Sequence, residues 1–219
     1  MVKCSALFAL AAALSAPISN ATVFKVRVRN LTYLQPFSPP IIVAHTNDVA
    51  LFKEGRAASD AIKLMAENGD NSALLELTAA PDVEPYICGY ELSADPVLPG
   101  ETWRGSMYVD GDICPNAKFS LVTMLVNTND AFVGIDSEDL YFSDVHKFFP
   151  PAFDAGTEAN NEMCTHIPGP ACGMDSGNER DEPGEGFVHV HRGFHGRGDL
   201  WDADYDWRNP VAEVFISSK

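Results

Sequence analysis

The sequence predicts an antiparallel, all-β sandwich with a short helical insertion and long acidic loops. Three observations lead there. Short apolar stretches, several alternating with period two, recur from Thr22–Asn30 to Val211–Ser217. A 3.6-residue apolar stripe lies in the N-terminal third, at Ala58, Ala61, Ile62 and Met65. Between strands run loops rich in Gly, Pro and Asp, with no internal repeat and no domain-sized linker.

The chain opens with Lys3, an apolar run from Ala6 to Ala16, and small residues around Ser19-Asn20-Ala21. This is the layout of a secretory signal peptide over residues 1–21, leaving residues 22–219 as the mature domain. The apolar run has 11 residues, too short for a bilayer span of about 20. The expected destination is extracellular or periplasmic. In Thr22–Asn30, Phe24, Val26 and Val28 face one way and Lys25, Arg27 and Arg29 the other: a half-buried strand with a basic outer face. Asn30-Leu31-Thr32 is a glycosylation sequon. Prolines 36, 39 and 40 make an extended connector to the apolar strand Ile41–Ala44.

Residues 54–79 read as helical, with Asn68-Gly69 stopping the first helix and a second running from Ser72 to about Ala79, before Pro81. Thr102–Val109 alternates again. Phe119–Val126 is almost continuously apolar, as suits a strand covered on both faces. A long loop is expected from Ser143 to Gly186, then a strand around Val188 and Val190, and a last strand over Val211–Ser217 led in by Asp206-Trp207-Arg208-Asn209. Loops of that length in compact domains usually carry function.

A net charge of −16 argues against nucleic acid or anionic lipid as partner. After signal removal Cys88, Cys114, Cys164 and Cys172 remain. An even count in an exported chain suggests two disulfides, with three possible pairings. The favoured one closes the loop THIPGPA with Cys164–Cys172 and leaves Cys88–Cys114. A Cys/His zinc site using His166 fits no standard spacing.

Several stretches share one further pattern: NLTYLQPFSPPIIVAH (30–45), LFKEGRAASDAIKLMAENGD (51–70), SLVTMLVNTNDAFVGID (120–136) and FDAGTEANNE (153–162). GEGFVHVHRGFHGRGDL (184–200) and DYDWRNPVAEV (204–214) follow. Together they resemble the spondin N-terminal domain family, whose F-spondin and mindin members are extracellular matrix proteins. The resemblance implies a C2-like sandwich over residues 22–219. It also implies a calcium ion held by acidic side chains, and recognition of or adhesion to a cell-surface or matrix protein or glycan. Within it Asp130 and Asp154 match metal ligands. The third ligand falls just before the SLV strand, where Cys114 stands; Asp112 is the chosen carboxylate there, with Asp110 beside it. Asp136 and Glu158 are candidate supports. Calcium takes several oxygen ligands, typically loop carboxylates. Each Asp alone is more often a turn residue accepting backbone N–H groups.

A second candidate metal cluster is His189, His191 and His195. The first two share one strand face and could bind zinc or copper, with Glu185 or Asp199 joining. It is the basis of an alternative reading as a metalloenzyme. The competing reading is histidines in ordinary hydrogen bonds. Arg197-Gly198-Asp199 spells an integrin tripeptide, and a turn with glycine at positive φ is the plainer account. No G-x-S-x-G, H-E-x-x-H or P-loop is present, so a binding domain rather than an enzyme is expected.

Overall fold

The computed structural model describes residues 21–141, 144–173, 177, 179 and 183–218. The expected signal peptide, apart from Ala21, lies outside the described residues. In chain order the elements are β1 (Ala21–Asn30), β2 (Ile41–His45), α1 (Asp60–Asn68), α2 (Ser72–Thr78), β3 (Ile87–Leu92), β4 (Thr102–Asp110) and β5 (Lys118–Met124). β6 (Ala131–Asp139), β7 (Val145–Phe148), β8 (Ala152–Asp154), β9 (His189–Val190), α3 (Asp202–Tyr205) and β10 (Ala212–Ser217) follow. They form two antiparallel sheets, ordered β4-β1-β10-β7 and β3-β2-β5-β6-β8-β9. The expected β-sandwich is thus what forms.

Alternation in β1 sends Phe24, Val26 and Val28 into the space between the sheets, where they meet Phe119, Leu121, Val214 and Ile216. The six-stranded sheet is covered on its other face as well. There Ile41, Val43, Val122, Met124 and Phe132 pack under Ile62, Met65 and Leu74 of the two helices. This second layer explains why β2 and β5 are apolar at successive positions: each neighbour serves a different core. α1 starts later than the apolar stripe suggests. Ser59 caps it, its Oγ accepting from the Ile62 N–H at 3.3 Å, and Gly69 ends it in the left-handed region at φ 68°.

The expected loop over Ser143–Gly186 is interrupted. It contains β7 and β8, strands of four and three residues, too short to show a period of their own. β3 and β6 likewise carry no clean alternation, because parts of each face are covered unevenly. The sequon asparagine is a structural residue. Asn30 is fully buried. Its amide donates to the carbonyls of Gln35 and Val97, and its Oδ1 accepts from the Thr32 N–H and hydroxyl. The folded protein leaves no room for a glycan there.

Both disulfides pair as favoured, Cys88–Cys114 and Cys164–Cys172. Cys88 lies on β3 and Cys114 just after β4, so the first bond ties the edge of one sheet to the edge of the other. At that seam a Cβ on Gly89 would stand 1.9 Å from the Tyr108 carbonyl oxygen, which only glycine permits. The bond closes 26 residues. Chain-entropy reasoning gives it about 3 kcal/mol of stability. The double replacement Cys88→Ala/Cys114→Ala should lower the denaturation free energy by about that amount in urea titration, with the Cys164–Cys172 bond retained. A loss below about 1 kcal/mol would show that the seam holds without it.

Candidate metal centre

The hairpin joining β5 to β6 turns through Asn127, Thr128, Asn129 and Asp130, all four buried. Thr128 closes the turn: its hydroxyl donates to the Leu125 carbonyl and accepts from the Ala131 N–H. The other three side chains each hold a different part of the chain beyond β8. Asn127 accepts from the Ala171 N–H and donates to the Leu34 carbonyl. Asn129 accepts from the Glu162 N–H and donates to Asn161 Oδ1. Asp130 Oδ2 accepts from the backbone N–H groups of Thr157 and Glu158 at 2.7 and 3.0 Å and from the Thr157 hydroxyl at 3.2 Å.

Asp154 ends β8. It pairs in register with Ala131 on one side and His189 on the other, so Asp130 and Asp154 are brought together by sheet register. Asp154 Oδ1 accepts from the Gly156 N–H and Oδ2 from the Asn160 amide, both at 2.7 Å. Asp154 thus makes the local contact of a turn aspartate, whereas Asp130 grips backbone 27 and 28 residues along the chain. Both are also almost completely buried, and neither forms an ion pair with Lys or Arg among the described residues. Burial first, and the charge of Asp154 second, push the Asp130 carboxyl up to about 7. Burial pushes Asp154 up to about 6, while hydrogen bonds from Asn160 and Gly156 pull the other way. Asp130 Oδ1 is buried with no hydrogen-bond partner among the described residues.

Asp154, Glu185 and His189 each offer one ligand atom, and the three atoms lie within 4.8 Å of one another. Oxygen ligands 2.3–2.6 Å from a common ion stand about that far apart, so the spacing fits a bound cation. His189 Nδ1 is also buried without a hydrogen-bond partner among the described residues. The three residues share a small pocket with His191, His195 and Arg197.

The histidine cluster divides. His189 joins the two carboxylates. His191 has both ring nitrogens engaged: Nε2–H donates to Asn160 Oδ1 and Nδ1 accepts from the Gly193 N–H. Burial, with His189 and His195 nearby, drives it down to about 3, so it is neutral. His195 lies 3.7 Å from Glu162 and is half-exposed. Asp112 lies in the turn after β4, its N–H donating to Asp110 Oδ1. It precedes β5, a strand of seven residues, and Asp130 follows that strand. Asp136 bonds Ser137 within β6 and stays apart, whereas Glu158 is buried beside Asp130.

Glu162 was not among the expected residues. Its buried carboxylate accepts from the backbone N–H groups of His195 and Arg197. The Asp199 N–H donates to its carbonyl, and Asp199 Oδ2 accepts from the Cys164 N–H. The RGD tripeptide is therefore pinned against the 161–164 segment, with its carboxylate already engaged. Gly198 is not at positive φ. Glycine is required because a Cβ would lie 2.1 Å from the Glu162 carbonyl oxygen. The clue to Glu162 lay in the run ANNE directly after DAGTE, where polar residues crowd a segment with no period.

The Spondin_N family model matches residues 29–163. The chain belongs to the spondin N-terminal domain family. Among curated proteins there is no significant match. The spondin match covers both Asp130 and Asp154 and ends before Glu185 and His189. Spondin membership and two disulfides suggest an extracellular protein, and no described helix is long and apolar enough to cross a membrane.

The buried carboxylates set a pH dependence. The folded-state value of Asp130 lies above the ordinary 3.8, near 7. The folded state thus holds its proton longer than the unfolded chain, and stability falls as pH rises through that window. In EDTA-treated protein, Asp130→Asn should melt higher than the parent, by a margin that grows from pH 4 to pH 7.5. A margin independent of pH in paired thermal melts would mean that Asp130 carries no buried-charge penalty.

Proposed function

We propose that this spondin domain is an extracellular recognition module whose loop end binds a calcium ion through Asp130 and Asp154, and that the ion fixes the loops facing a cell-surface or matrix partner. One observation carries the reading. Among the described residues the two adjacent buried carboxylates pair with no Lys or Arg, the His191 ring 3.8 Å from Asp154 is neutral, and Asp130 Oδ1 lacks any hydrogen-bond partner. A buried charge in that position is costly unless a cation offsets it. The family resemblance supplies the identity of the ion.

In this reading Asp130 and Asp154 hold the ion, while Thr157, Glu158, Gly156 and Asn160 hold the carboxylates in place. The ion supplies charge compensation and adds its binding free energy to folding by mass action. A second reading has one observation in its favour. His189 stands with Asp154 and Glu185, and an imidazole suits zinc or copper better than calcium. Nothing beyond that triad supports a metalloenzyme.

Two measurements decide. Elemental analysis of purified protein should find about one equivalent of calcium, and EDTA should lower the melting temperature by several degrees, reversed by calcium and abolished in Asp130→Asn. Zinc or copper that survives dialysis and is lost in His189→Ala would favour the second reading. An unchanged melt after verified removal of all metal would remove both.

A further inference from the structure

The outer face of the four-stranded sheet carries charge of the opposite sign to the rest of the molecule. Lys25, Arg27 and Arg29 alternate outward on β1. Arg27 faces Arg104 of β4 on one side and Phe215 of β10 on the other, and Phe215 faces Lys147 of β7. One rung across all four strands therefore reads Arg104, Arg27, Phe215, Lys147. At the usual strand spacing it is about 14 Å long. The next rung places Arg29 between Thr102 and Glu213.

These side chains line an open groove of about 380 Å³. Glu213 is the one carboxylate lining it, and it is held by Lys147. Among the described residues no acid pairs with Arg27, Arg29 or Arg104. Like charges directly opposite on neighbouring strands destabilise a sheet, and Arg27 and Arg104 are such a pair. The Arg27 guanidinium lies 4.0 Å over the Phe215 ring, which holds its planar fork in place and favours recognition of planar or tetrahedral anions. Because Phe215 is already covered, the groove offers no free aromatic face on which a base could stack, so nucleic acid fits it poorly. The acidic remainder of the surface is screened beyond a Debye length of about 8 Å.

We infer that this groove is a binding site for a linear acidic polysaccharide, whose sulfate or carboxylate groups lie along the Arg104–Arg27–Lys147 rung. The assignment shares only the extracellular setting with the proposed function and takes no residue from the carboxylate loops.

The test is calorimetric titration of the full mature chain with a heparin-type sulfated oligosaccharide, with polygalacturonate as the carboxylate-only arm and neutral dextran as control. Binding to at least one polyanion is expected, weakening as salt rises, with none to dextran. Arg27→Gln/Arg104→Gln should weaken it at least tenfold, and Arg29→Gln alone by a smaller factor. Lys53→Gln/Arg56→Gln, which removes two positive charges elsewhere, should leave it within twofold. All substituted side chains are exposed, and circular dichroism verifies the fold of each variant. Affinity in EDTA should also stay within twofold, whatever becomes of the cation reading. No binding to either polyanion at low salt overturns the assignment, as does equal binding by parent and Arg27→Gln/Arg104→Gln, or loss in EDTA with the fold intact. Self-association seen by sedimentation, abolished in that double variant and unaccompanied by polyanion binding, would instead assign the groove to the acidic surface of a second copy.

Discussion

The buried hairpin turn Asn127–Asp130 is the constraint on which the loop end of this spondin domain depends. The segment from Ala155 to Gly173 carries only a single 3-10 turn, yet much of it is ordered against the sheet. A buried loop must satisfy its backbone polar groups somewhere. Here four of its N–H groups are satisfied by side chains from one turn. Asp130 takes the N–H groups of Thr157 and Glu158, Asn129 that of Glu162, and Asn127 that of Ala171. The Cys164–Cys172 bond then closes the stretch that Asn127 grips, and a Cβ on Gly169 would meet Asn127 Oδ1 at 2.1 Å. Fit this close leaves little freedom for any one contact to change alone.

That arrangement explains why ionisable groups end up inside. A neutral amide can accept one N–H without electrostatic cost, as Asn127 and Asn129 do. Asp130 accepts two N–H groups and a hydroxyl on a single oxygen and leaves the other bare. If gripping the loop were its sole task, asparagine would serve with less desolvation. The aspartate instead brings a second carboxylate next to Asp154, which pairs with the following residue, Ala131. The surface shows the converse economy: in a chain of net −16, Arg27, Arg29, Arg104 and Lys147 line one groove on a single sheet face, opposed by Glu213 alone within the groove. Both features hold like charges closer than folding by itself would favour, and both become intelligible when an ion or ligand of opposite sign completes them.

Much of the fold was legible because each core has its own periodicity. β1 alternates since one face meets water; β2 and β5 do not, since the helices cover the outer face of their own, six-stranded sheet. Gly69 marked the end of α1, whereas its start after Ser59 was hidden by Ala58, which continues the apolar stripe. The short strands β7 and β8 were not legible, because three or four residues cannot establish a period and their pairing is set by partners far along the chain. Asp112 precedes β5 and Asp130 follows it. Sequence proximity to β5 does not say which end of β5 a ligand must reach. Asn30 and Arg197–Asp199 matched short motifs, but burial and backbone hydrogen bonds give both of them structural work.

Asp154 occupies the junction between two parts of the chain with different origins of constraint. On one side it faces β6 and the aspartate turn, both inside the spondin-matched residues 29–163. On the other it faces His189, which with Glu185 lies beyond that match. The matched side offers oxygen alone, a donor set for hard cations. The far side adds an imidazole whose Nδ1 is buried and unpartnered among the described residues, and nitrogen shifts preference toward softer ions. Asp154 thus stands between a second buried carboxylate, Asp130, and the Glu185–His189 pair. The neighbouring His191, locked neutral between Asn160 and the Gly193 N–H, fixes Asn160 and through it the Asp154 carboxylate. The buried part of this cluster is thus the Asp154 carboxylate with its amide support, while Glu185 is exposed.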